Sequence, residues 1–194
     1  MYTFMAQFSV TPVPTSVIRS VCSFAPCRCV AVLLLAAVLA ACSPQYDWRE
    51  LIVAEGQIRA AFPARVQTET RTVRLGDVST PFTVVAASVN DATFAVGHAR
   101  LPPEVARDSA HRRRLASHLL SSAYTNLGAT PPAEVRPGPE AVVVRGEGAR
   151  AGTWSLVKVW VLPDGPVQAI AMGRDGDLSM ERAREFVDQV VMAP

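Results

Sequence analysis

Apolar and polar positions alternate with a period of two along much of residues 57–101. That period marks half-buried β-strands, because successive side chains leave opposite faces of a sheet. Gln57 to Phe62 reads as one strand, ended by Pro63. Val66 to Leu75 reads as the next, with Thr68, Thr70, Thr72 and Arg74 on one face and Glu69, Arg71 and Val73 on the other. Neither face is apolar, so this strand is expected to be solvated and peripheral. Gly76-Asp77 breaks it. Pro81 to Val89 sets Phe82, Val84 and Ala86 against Thr83, Val85 and Ala87. Asn90-Asp91 then turns the chain tightly into Thr93 to Leu101, which completes an antiparallel meander.

After Pro102-Pro103 the period changes. Leu115, Leu119, Ala123 and Leu127 recur every fourth residue, with Ala116, Leu120 and Tyr124 beside them. This is the apolar stripe of one long helix, predicted from about Glu104 to Leu127 and closed by Gly128. Ala129 to Pro139 holds four prolines and is a loop, and Ala141 to Arg145 is a short strand. Thr153 to Leu162 is the most apolar strand, with Trp154, Leu156 and Trp160 on one face and Val157, Val159 and Val161 on the other. Both faces need cover, so it is expected at the centre of the sheet. Pro163-Asp164-Gly165-Pro166 turns it into Val167 to Gly173. A last helix is capped at Asp177 or Ser179, with Ala183, Phe186, Val187, Val190 and Val191 as its buried stripe.

These elements predict an α+β fold: an antiparallel β-sheet packed by a long middle helix and a C-terminal helix. Nothing in the pattern repeats, and strands and helices do not alternate as in a parallel sheet. The order of elements over residues 50–192 resembles the PsbP-like α/β/α sandwich, a family named for an extrinsic subunit of the photosynthetic oxygen-evolving complex. That resemblance implies a binding or assembly module rather than an enzyme.

The N-terminal segment obeys a different logic. Val30 to Ala41 is an unbroken apolar run of twelve residues. It is too short to cross a bilayer core, which needs roughly 20 helical residues. Arg19 and Arg28 precede it, and no acidic residue occurs before Asp47. A basic region, a short apolar run and small residues before a break read as a secretory signal. Leu39-Ala40-Ala41-Cys42 resembles the lipobox of bacterial lipoproteins. The resemblance implies cleavage between Ala41 and Cys42, with a diacylglyceryl group on the Cys42 thiol. Position 43 is serine rather than aspartate, which by the same resemblance implies the periplasmic face of the Gram-negative outer membrane. Residues 1–41 are then a cleaved signal peptide, 42–49 a lipidated tether, and 50–194 a single periplasmic domain. The aromatics Tyr46 and Trp48 in the tether have two placements, at the lipid headgroups or packed on their own domain.

Composition changes meaning once the leader is set apart. Two of the chain's 19 basic residues, Arg19 and Arg28, lie in it, which leaves the remainder with as many basic as acidic residues. A neutral domain gives no electrostatic reason to expect nucleic acid. Of the four cysteines, only Cys42 lies outside residues 1–41. The domain is therefore expected to lack a disulfide and to be held by its core.

Candidate chemistry is sparse. His111 and His118 sit seven apart on the predicted helix, about 10 Å at 1.5 Å per residue, too far to share one metal. Asp175-Gly176-Asp177 starts like a calcium loop, but Met180 and Phe186 stand where that loop needs Gly and Glu. No nucleophile elbow and no phosphate-cradling glycine loop appears. Lys158, placed in the apolar strand, is expected to carry its amine out to water rather than act as a nucleophile. Arg112-Arg113-Arg114 is the densest charge outside the leader and is the candidate docking surface. The sequence therefore predicts a lipid-anchored binding or assembly module of the cell envelope. It would have the membrane and an envelope protein as partners, and neither metal nor cofactor. A lipid-anchored hydrolase is the alternative.

Overall fold

The computed structural model describes residues 46–194. The lipobox, the cleavage position at Ala41 and the anchor Cys42 lie outside the described residues. The fold is α+β and mostly strand, with two antiparallel sheets and three helices.

The larger sheet has six strands. β3 (Gln67–Leu75), β4 (Val78–Val89) and β5 (Ala92–Ala99) form the expected meander. β6 (Val142–Arg145), β7 (Thr153–Leu162) and β8 (Gly165–Arg174) form a second. They join along β5 and β8, giving the order β3-β4-β5-β8-β7-β6. The turn into β5 places Asn90 at φ 51°, a left-handed position that Asn tolerates better than most residues. β7 does have apolar residues on both faces, but it lies second from the edge and not at the centre. β8, flanked on both sides by long strands, takes the interior place, while β6 covers only the first half of β7.

A second, three-stranded sheet was not anticipated from the pattern. β1 (Arg49–Val53) pairs with β2 (Ile58–Phe62), and β2 pairs with β9 (Val191–Met192). The link between β1 and β2 is a left-handed turn, with Ala54 at φ 52°, Glu55 at φ 55° and Gly56 at φ 94°. Val191 was expected in the buried stripe of the last helix. It lies instead in β9 and is 38% exposed, because helical geometry ends at Gln189 and Val190 is extended.

The long helix is also two helices. α1 (Pro103–Ala106) is one short turn, and α2 (Ser109–Asn126) begins afresh at Asp108, whose side chain accepts hydrogen bonds from the backbone N–H of Ala110 and His111. An Asp at that position stops the preceding turn and caps the next helix at once. Gly128, at φ 71°, follows the far end. α3 (Met180–Gln189) is capped by Ser179, which accepts from Arg182 N–H.

Alternation along β7 sends its side chains into two separate cores. Trp154 and Leu156 enter one, with Val85 and Phe94 of the sheet, Ile58 and Phe62 of β2, and Phe186 and Val187 of α3. Val157 and Val159 enter the other, with Leu115, Ala116, Leu119 and Ala123 of α2. Tyr46 and Trp48 stack on each other at 6.0 Å and meet Phe94 edge-on, at 6.2 and 6.3 Å. Of their two sequence-allowed placements, they adopt the one against the domain. Packing thus begins at Tyr46, and strand at Arg49, ahead of residue 50. Among the described residues no helix is long and apolar enough to cross a membrane.

Candidate functional site

α2 does not lie flat along the whole sheet. Its buried stripe rests on β7 and β8, with lesser contacts to β6 and to β3 near the turn between β3 and β4. There the His118 ring passes close to Gly76: a Cβ added to that glycine would meet His118 Cδ2 at 3.1 Å and a methyl of Leu115 at 3.3 Å. Two helical turns earlier, His111 Nε2 donates to Asp77 Oδ1 at 3.0 Å. The seven-residue spacing, two helical turns, thus brings both histidines onto one hairpin turn. His111 ties the turn to the helix through Asp77, whereas His118 touches the turn but remains exposed to solvent. The hydrogen bond with His111 is the main cause that holds the Asp77 carboxyl below its ordinary value of 3.8.

Between α2 and the sheet lies a cleft of about 510 Å³, bounded by β3, Phe82 of β4 and Gln168 of β8. Val73, Leu75, Phe82 and Leu119 supply its apolar wall. Ser121, Ser122, Thr125 and Asn126 line it from the helix and Gln168 from β8. Arg71 and Arg74 stand at the β3 side with His118 across from them. Alternation places those arginines on opposite faces of one strand, yet both line the cleft, Arg74 from the strand end beside Gly76. Phe82, Val84 and Ala86 are only half-buried, whereas Val85 and Ala87 on the opposite face of β4 are buried. That difference in cover was invisible in the sequence, where both faces of β4 read as apolar.

Two of the cleft's hydroxyls are committed to the helix backbone: Ser122 Oγ donates to Leu119 O at 2.7 Å and Thr125 Oγ1 to Ser122 O at 3.2 Å. Among the described residues His118 makes no hydrogen bond to a carboxylate. The cleft thus presents apolar surface, two guanidinium groups and the side-chain amides of Asn126 and Gln168. No family model, no curated protein and no solved structure matches this chain.

The arginine run is divided by the helix. Arg112 turns back so that its guanidinium donates to the Ala106 carbonyl, and its Nε is buried without a partner. It faces a recess shared with Arg100 and Arg107. Arg113 and Arg114 are exposed and line a different recess of about 430 Å³, together with Arg136 from the proline-rich loop. Consecutive helical residues point about 100° apart, so one run of three serves two surfaces. Arg136 was not singled out from the sequence, and its place beside the run depends on how the loop folds back.

Two further titratable side chains, Lys158 and His98, have structural surroundings. Lys158 is half-buried, and its Nζ lies 5.0 Å from the centre of the Trp160 ring, a cation–π contact. His98 lies where β5 meets the β1–β2 turn. Burial pushes its imidazole below the ordinary 6.5, opposed by Glu55 and aided by Arg100. Glu55 itself is paired with Arg100 at 2.8 Å. Among the described residues no three His, Cys, Asp or Glu side chains gather as they would around a metal ion.

Proposed function

We propose that this chain is an outer-membrane lipoprotein, anchored through Cys42 after removal of residues 1–41, whose periplasmic domain holds a ligand or partner without transforming it. The observation that carries the binding half of this reading is the cleft beneath α2, concave and part apolar, with Arg71 and Arg74 at one side and the Ser122 and Thr125 hydroxyls committed to the helix backbone. The anchor half rests on Leu39-Ala40-Ala41-Cys42 following a short apolar run. The arrangement of layers supports the PsbP-like α/β/α sandwich as the fold, with α2 on one face of the six-stranded sheet and α3 on the other. Arg113 and Arg114, exposed beside Arg136, form the surface on which an acidic envelope protein docks.

The test is direct. Cys42→Ser removes the thiol that accepts the lipid, so palmitate labelling should vanish and a larger, unprocessed chain should accumulate. Normal labelling of that variant rejects the anchor. Envelope proteins co-purifying with the intact chain identify the partner, and their loss in the Arg113→Glu, Arg114→Glu double variant, more marked at low than at high ionic strength, marks the docking face.

A further inference from the structure

The ligand class of the cleft beneath α2 can be read from three features of its construction. The first is size. About 510 Å³ falls within the span typical of small-molecule sites, roughly 300 to 1,000 Å³, and is too small for a folded partner.

The second is that the space is kept open by a glycine in the middle of β5. A Cβ at Gly97 would lie 2.6 Å from Phe82 Cζ and 2.8 Å from Cε1. Only glycine lets that ring settle against the sheet instead of standing up into the cleft. Glycine inside a strand normally weakens it, and here it marks a close approach. Gly97 is itself buried, at an interior strand whose other neighbours are Ala95 and Ala99.

The third is charge. Among the described residues neither Arg71 nor Arg74 has a carboxylate within salt-bridge distance. Arg74 Nε reaches only the Gly76 carbonyl, at 3.4 Å. The acids near them are placed otherwise: Glu69 shares Arg71's face of β3 but lies outside the cleft lining, and Asp77 is engaged by His111. A guanidinium offers parallel N–H donors that match two oxygens of one anionic group.

We propose that the cleft binds a small amphipathic anion, an aromatic or short aliphatic body bearing one sulfonate-, phosphate- or carboxylate-type group. The body lies over Phe82 and Leu119, and the anionic head meets Arg71 and Arg74. An inorganic anion alone leaves the apolar wall in water, and a purely apolar ligand leaves both guanidinium groups unused. This assignment rests on the reading of the domain as a ligand-holding module.

The experiment uses the full chain and three water-soluble probes at neutral pH: 2-naphthalenesulfonate, neutral 2-naphthol and inorganic sulfate. Affinity is read by ligand-observed NMR, and location by shifts of the Gly76 amide and the His118 ring. The sulfonate should bind at least tenfold more tightly than either other probe and should move both reporters. Arg71→Gln with Arg74→Gln should remove that tenfold advantage and leave naphthol binding unchanged. Gly97→Ala, which drives the Phe82 ring into the cleft, should weaken both naphthalene probes. Ser122→Trp blocks the same space from the helix and should do likewise, so loss of fold in one variant does not stand in for loss of site. Equal binding of sulfonate and naphthol overturns the anionic assignment but leaves a ligand cleft. Absence of any naphthalene binding at millimolar concentration, or sulfonate binding that ignores the arginines and moves neither reporter, overturns the proposal outright. The module reading is then judged by the envelope co-purification alone.

Discussion

The two faces of the six-stranded sheet are built from different materials. On the α3 side, Phe62, Phe94 and Phe186 are fully buried, and Phe186 sits 5.5 Å from both Phe62 and Phe94, with Trp154 in the same core. On the α2 side the buried residues are Leu, Ala and Val, and the covering helix reaches across only part of the surface. Aromatic side chains each bury a large area and fill space from several directions, so a short helix and a small sheet close the first face. A helix whose buried stripe is Leu and Ala seals only the strands it lies on. The second face is left with a cleft, and the comparison separates a face made for stability from a face with room for a ligand.

The largest effect that sharpens this contrast should come from Phe94→Ala. It removes a fully buried ring that meets Tyr46, Trp48 and Phe186, and the cost should be about 3 to 5 kcal/mol by urea unfolding. Phe82→Ala removes the same atoms from the half-buried cleft wall, where solvent already reaches, and should cost less than half as much. Equal costs would erase the distinction between the faces. Next in size, Ser179→Ala removes the cap of α3 and should lower stability by about 1 kcal/mol, a loss confined to the aromatic side. Arg113→Glu with Arg114→Glu on α2 should change the unfolding free energy by less than about 1 kcal/mol, since both side chains are exposed.

Smaller still, each face should leave its own mark on the pH profile of Tm. His98 has a lowered pKa, so the folded state holds its proton less firmly than the unfolded state does. No penalty exists above the ordinary 6.5; it grows as pH falls below that value and levels off once pH passes the folded pKa. His98→Gln should flatten that part of the profile. Asp77 is also lowered, and its contribution is complete above the ordinary 3.8 and is lost as pH falls through the folded value. Asp77→Asn should therefore blunt the acid limb alone. A single transition moved equally by both substitutions would contradict the separate placement of the two groups.

Local pattern made much of this fold legible. The limits of β7 follow from alternation, and the cap of the last helix is one of the two residues, Asp177 and Ser179, that precede its apolar stripe. What escaped was set by distant partners. β1 is exposed at four of its five positions, a pattern that carries no strand signal until β2 lies beside it. Asp108 lies inside the run predicted as one helix from about Glu104 to Leu127, and it breaks that run in two. The cleft was least legible of all. Arg71 and Arg74 were visible as members of a peripheral strand, and His118 as a helix histidine, but only the packing of α2 beside the hairpin brings them together. The meaning of Gly97 likewise needs Phe82 across the ladder.

The strand order has one further consequence, for the speed of folding. β3-β4-β5 and β6-β7-β8 are each continuous in sequence and can form by closing short loops. The ladder between β5 and β8 is different, for it pairs Thr93 with Met172 and His98 with Val167, with both α1 and α2 and the proline-rich loop lying between in the chain. Joining segments so far apart costs chain entropy before any new contact compensates, which makes such pairings slow. Two half-sheets should therefore gather early and wait for one another. Along that line large residues of β5 meet small ones of β8, Phe94 beside Ala171 and Val96 beside Ala169. Enlarging either alanine should slow refolding more than it speeds unfolding.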